Sequence, residues 1–140
     1  MSIAEQFDFK YIPTEDEPFM NDRQKEYFRL KLINWKKEIL QESRGTLETL
    51  QNESRNHPDI ADKASAETDR ALELRARDRQ RKLISKIDSA LKRIDDGDYG
   101  YCEETGEPIG IRRLDARPIA TLSIEAQERH ERREKVYRDD

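Results

Sequence analysis

Apolar residues recur at Phe28, Leu32, Trp35 and Ile39 in steps of four, three and four, and the pattern continues through Thr46 to Leu50. Side chains at that spacing line one stripe of a helix, which is buried only against a matching stripe. The match lies downstream. From about Asp62 to Asp95, the residues Ala64, Ala71, Leu74, Ile84, Ile87, Leu91 and Ile94 fall near heptad spacing, interrupted by the charged run "RARDRQRK". Between the two runs stands "NHPDIAD", where Pro58 removes a backbone donor and disfavours helical geometry at His57. Two helices of similar length joined by a short turn make an antiparallel hairpin, and about 35 residues at ~1.5 Å each give a rod of roughly 50 Å.

Composition agrees with such a shape. Hydrophobic residues make up 34% of the 140 positions and charged residues 41%, so the core is small and most helical side chains face water. A net charge of -4 argues against a chain that coats nucleic acid, which requires excess Lys and Arg, and no direct sequence-specific DNA binding is expected. One cysteine excludes an intramolecular disulfide. No apolar run reaches the length of a signal peptide or membrane span, so a cytoplasmic location without a membrane partner is expected.

Three segments follow from these patterns. Residues 1–20 mix Phe7, Phe9, Tyr11 and Phe19 with two prolines and an acidic cluster, which reads as an arm packing on the base or as a partner contact. Residues 21–97 form the hairpin, capped at Asn21 or Asp22, with its tip near 57–64. Residues 98–140 form a globular base: "DDGDYGY" stops the second helix, the segments around Gly106 and Gly110 read as a β-hairpin, and Ser123 caps a C-terminal helix with Glu125 in its first turn. The expected fold is mainly α, a long antiparallel coiled-coil hairpin on a small base with a degenerate zinc-ribbon-like β-hairpin and a C-terminal helix.

Cys102, Thr105, Ser123 and Ala126 have the spacing C-x2-C-x17-C-x2-C, which with four cysteines would signal a zinc ribbon. One thiol, two hydroxyls and a methyl do not make the four Cys or His donors of structural zinc, so no zinc and no other cofactor is expected. Cys102 reads as a small, partly buried apolar residue or, failing that, as a redox sensor without a resolving partner. Packing then has to hold the base, from Tyr99, Tyr101, Ile109, Ile111, Leu114, Ile119, Leu122 and Ile124. Arg112, Arg113 and Arg117 cluster in the same region, where guanidinium groups could grip phosphates or carboxylates. At the turn, Asp62 suits an N-cap and Asp59 a post-proline turn, while a carboxylate-bearing rod end could also deliver charge into a deep site of another molecule. His57 and His130 enter no catalytic constellation, and an enzyme is not expected.

Taken together, "HPDIADKASAE", "LELRARDRQRKLISKI", "DDGDYGYCEETGEPIGIRRLDARP" and the degenerate four-position spacing resemble the DksA family of RNA polymerase-binding transcription factors over roughly residues 20–137. The resemblance implies a coiled-coil hairpin inserted through the secondary channel of bacterial RNA polymerase, altering promoter-complex stability at stable-RNA and other promoters together with ppGpp. It implies a tip motif at Asp59, Asp62 and Ala64, a polymerase contact at Arg79, and a ppGpp pocket lined by Leu83, Lys86 and Arg117. Gln127 stands where the family has a lysine, and one fewer cation beside a polyanion weakens binding. A monomer partnered by RNA polymerase and ppGpp is expected. A structural coiled-coil adaptor or dimerisation protein is the alternative, against which the charged interruption of the seam weighs.

Overall fold

The computed structural model describes residues 11–55 and 60–139, with side chains at 11–45 and 63–136. They form α1 (Asp22–Arg55), α2 (Ile60–Asp96), α3 (Ile111–Ala116) and α4 (Ile124–Asp139). The mainly helical class expected from the two stripes is the one that forms. His57, Pro58 and Asp59 lie outside the described residues. Among the described residues, no helix is long and apolar enough to cross a membrane. The chain divides into two compact units, one of residues up to Leu32 together with those from Ser89 onward, the other Ile33–Asp88.

In the first unit, α1 begins where a side chain replaces the missing backbone acceptor: Asn21 Oδ1 accepts the Gln24 N–H at 2.9 Å. Gln24, fully buried, reaches back, accepting from the Met20 N–H at 2.8 Å and donating to the Thr14 carbonyl at 3.3 Å. This exchange ties the segment before the helix to its first turn. The same segment is held by rings. The Arg23 guanidinium lies 3.9 Å from the centre of the Tyr11 ring, and Phe19 meets Tyr101 edge to face at 5.5 Å. Gly100 allows that approach: its φ is +95°, and a Cβ there would lie 3.0 Å from Phe19 Cζ.

Beneath these contacts, Phe28 and Leu32 of α1 and Ala90 and Ile94 of α2 are buried with Tyr99, Ile111, Leu114, Ile119 and Ala126. Each large apolar side chain among them contributes roughly 1.5–3 kcal/mol by leaving water. The Tyr99 hydroxyl donates to the Pro118 carbonyl at 2.8 Å, so its polar end is satisfied where it is buried. Of the residues expected in this core, Ile109 and Leu122 are only part-buried and two are exposed. Tyr101 is 40% exposed because its ring packs outward against Phe19, and Ile124 is 54% exposed because it opens α4 on the side away from Ala126, which is fully buried.

The hairpin of the base is reduced to one antiparallel bridge between Tyr101 and Pro108. The Cys102 N–H donates to the Glu107 carbonyl at 2.8 Å and the Ile109 N–H to the Gly100 carbonyl at 2.7 Å. Pro108 has no N–H to extend the ladder. The chain turns at Gly110 into α3, which buries Ile111 and Leu114, so a short helix stands where the sequence suggested a second segment of the hairpin. At α4 the expected cap is present: Ser123 Oγ accepts the Ala126 N–H at 3.2 Å, with Glu125 in the first turn.

The pairing of α1 with α2 is antiparallel. In the first unit Arg29 meets Asp95 at 2.6 Å; in the second, Lys36 meets Asp88 at 2.7 Å, and the Ser43 hydroxyl donates to Gln80 Oε1. As the α1 number rises by seven, its partner's falls by seven or eight. This register decides which face of α2 is inward. Ile87, Ala90 and Ile94 are buried, and stepping back by four and three reaches part-buried Leu83, Gln80, Ala76 and Glu73. Ala64, Ala71 and Leu74, assigned to the seam from spacing alone, are exposed, Leu74 at 56%. Sequence spacing cannot choose between neighbouring rows of a helix when both carry scattered apolar residues; the cross-helix pairs do.

Candidate functional site

The base is built around Cys102. It is 3% exposed and sits at the head of the tight turn closed by the Gly106 N–H donating to its carbonyl at 2.8 Å. Burial pushes its thiol up, but the Thr105 hydroxyl and the N–H groups of Ser123, Thr105 and Glu104 donate to the sulfur and outweigh it, holding the pKa down to about 6. Three of the four positions singled out by spacing therefore converge. The fourth, Ala126, is fully buried and gives its N–H to Ser123 Oγ. Thr105 Oγ also accepts the Glu107 N–H at 3.3 Å. His130 of α4 contacts Glu104 of the turn, a contact that the sequence did not suggest.

The three arginines of the base are held differently. Arg113 is part-buried and donates through Nε to the Leu122 carbonyl at 2.9 Å. The side chain of Arg112 is 92% exposed, 4.0 Å from Glu15. Arg117 is exposed at the C-terminal end of α3, its N–H donating to the Arg113 carbonyl at 2.7 Å. Just before it, Asp115 Oδ1 accepts from the Tyr27 hydroxyl at 2.7 Å and from Lys31 Nζ at 2.6 Å, and Lys31 Nζ also reaches the Asp115 carbonyl at 2.7 Å. Burial raises the Asp115 pKa, and the hydrogen bonds from Lys31 and Tyr27 with the Lys31 charge more than reverse it, leaving the carboxyl below its ordinary range. Burial, and then the bond to this carboxylate, push Tyr27 up to about 12. Gln127 is part-buried and donates to Glu131 at 3.3 Å.

In the second unit, Arg79 and Lys86 are exposed on α2 and Leu83 is part-buried beside them. Ala64 is exposed near the start of α2; Asp62 lies in the helix with its side chain outside the described set, and Asp59 lies outside altogether.

Comparison with known proteins gives this arrangement a family. Residues 24–94 match the family model described as DnaK suppressor protein DksA, N-terminal domain, and residues 97–132 match the prokaryotic dksA/traR C4-type zinc finger. The chain belongs to the DksA family. An RNA polymerase-binding transcription factor DksA of Caulobacter vibrioides is 74% identical over 130 residues, 93% of this chain and 92% of that one. The protein of the same name from Escherichia coli is 47% identical over 125 residues, 89% of this chain and 83% of its own. Among solved structures, transcription factor DksA2 from Pseudomonas aeruginosa is similar with a TM-score of 0.78 at 46% identity, covering 86% of this chain and 95% of that chain. The DksA family is one of transcription factors and not of enzymes.

One expectation is corrected by these matches. The absence of any zinc cofactor was inferred from the missing cysteines, whereas residues 97–132 match a C4-type zinc finger, a region that points to zinc. The residue types at the four spaced positions argue against zinc, whereas the match extends over the whole segment 97–132, with its turn and glycines as well as its spacing. The donors present do not themselves make a four-thiolate site: the Cys102 sulfur is engaged by N–H and O–H donors, Ser123 Oγ caps α4, and Ala126 has no donor. Among the described residues, no group of three or more His, Cys, Asp or Glu stands together as a metal ion would require.

Proposed function

We propose that this chain binds bacterial RNA polymerase directly and regulates transcription by entering the secondary channel with the tip near residues 57–64 foremost. The observation that carries this reading is the 74% identity, over nearly the whole chain, to a protein named for polymerase binding. The helical pair adds support, because an antiparallel pair whose charged faces stay in water is suited to a channel. Asp59, Asp62 and Ala64 are the effector tip, Arg79 anchors the coil, and Leu83, Lys86 and Arg117 receive ppGpp in a pocket completed by polymerase. The protein acts as a cytoplasmic monomer, reads no DNA sequence and has no chemistry of its own. The adaptor reading is set aside, since the relatives carry a polymerase-binding name.

Binding and effect are separable in this account. Asp62→Asn or Ala64→Thr is expected to leave affinity for core polymerase within about twofold, measured by competition with another secondary-channel protein, while abolishing the effect on a ribosomal-RNA promoter in vitro. Equal loss of affinity would make the tip an anchor and reject the assignment.

A further inference from the structure

Arg117 follows a helix too short to hold itself. The six residues of α3 form less than two turns, and such a segment keeps its direction only through what it packs against. Ile111 and Leu114 bury one face, but they lie toward its start and middle. At the end nearest Arg117 the fixed points are polar. Lys31 Nζ holds both Oδ1 and the main-chain carbonyl of Asp115, and the Tyr27 hydroxyl takes the same Oδ1. A cation on a carbonyl at a helix C-terminus satisfies an orphan acceptor and opposes the negative end of the dipole. All four residues belong to the first unit, so the clamp connects α1 to the backbone two residues before Arg117.

From this we infer that Lys31, with Tyr27, is a positioning group for Arg117: it fixes the end of α3 from which that guanidinium is presented to an anionic, phosphate-bearing effector. Lys31 has a second effect of the same sign. It neutralises the Asp115 carboxylate, which would otherwise stand as an unpaired negative charge two residues from a cation that has to attract a polyanion. Neither Tyr27 nor Lys31 was singled out by sequence, because a tyrosine and a lysine four apart on a charged helix look like any solvated face. The inference rests on the proposed assignment of Arg117 to the ppGpp pocket.

The test is in vitro transcription from a ribosomal-RNA promoter with RNA polymerase holoenzyme and the full chain, titrating ppGpp. Lys31→Met is expected to raise the half-maximal ppGpp concentration roughly tenfold, the scale of one lost charge-assisted hydrogen bond. Its effect without ppGpp and its competition for core polymerase stay at the wild-type level. Lys31→Arg restores most of the response, and Tyr27→Phe, which removes a single hydroxyl, gives a smaller shift in the same direction. An unchanged ppGpp titration for both Lys31→Met and Tyr27→Phe, alongside a lost response in Arg117→Ala, overturns the inference and leaves the pocket assignment standing. An unchanged response in Arg117→Ala overturns both. Loss of the ppGpp-free effect in Lys31→Met and Tyr27→Phe alike also overturns the inference, since the clamp would then be general scaffolding.

Discussion

Cys102 is buried and yet surrounded by donors, and those two facts oppose each other in its ionisation. The donors win, so the folded thiol ionises near pH 6 against an ordinary 9.0. A depressed acid contributes stability that is complete above the unfolded pKa and is lost as pH falls through the folded one. The stability gap between wild type and Cys102→Ala is therefore expected to widen from pH 6 to 9 in reducing buffer, followed by denaturant unfolding; a gap independent of pH would contradict the donor arrangement. Two glycines make opposite predictions. Gly100→Ala places a Cβ 3.0 Å from Phe19 at a φ of +95°, and a loss of about 1–3 kcal/mol is expected from the strained backbone. Gly45 lies inside α1 with nothing within 4 Å of the position a Cβ would take, so Gly45→Ala should raise stability by about 0.5–1 kcal/mol through helix propensity. A lowered melting temperature for Gly45→Ala would mean that the glycine is needed for something beyond the fold.

Along α2 the inward row changes character. Ile87, Ala90 and Ile94 are buried apolar residues, whereas Gln80 and Glu73 bring polar groups into the same row, and Glu73 Oε1 is buried without a hydrogen-bond partner among the described residues. Polar groups in a seam specify register at a cost in stability. Amide exchange should therefore be slower at residues 84–94 than at 70–80, and the replacement Gln80→Leu combined with Ser43→Ala should narrow that difference. Uniform protection along α2 would contradict the gradient. The two long helices were legible from sequence because their stripes and the Pro58 break repeat over many residues. The row of α2 that turns inward was legible only toward Asp96, where Ile87 and Ile94 are buried as their spacing suggests; Ala64, Ala71 and Leu74 are as apolar but exposed, and only the cross-helix pairs separate them from the true seam. The short helix α3 was hidden for a related reason: "IRRLDA" has one turn of pattern, too little to tell from a strand.

At the scale of the whole molecule, the spacing of Cys102, Thr105, Ser123 and Ala126 correctly pointed to a zinc-finger-like base, and the residue types then pointed away from the zinc that the family match implies. A substituted donor is easily read from sequence; what the surrounding turn belongs to is carried by the whole segment. The proposed site is less legible still, because the effect assigned to it arises on a partner. Asp62, Arg79 and Arg117 look like ordinary surface residues, and the clamp on Asp115 joins positions 84 and 88 residues apart. The central claim is that this chain changes polymerase function by contact alone. Its most direct measurement is the lifetime of the complex between RNA polymerase holoenzyme and a ribosomal-RNA promoter, with and without the purified chain. A lifetime shortened several-fold by wild type and unchanged by Asp62→Asn, with both proteins bound to polymerase, is the predicted result; an unchanged lifetime with wild type demonstrably bound would contradict the account.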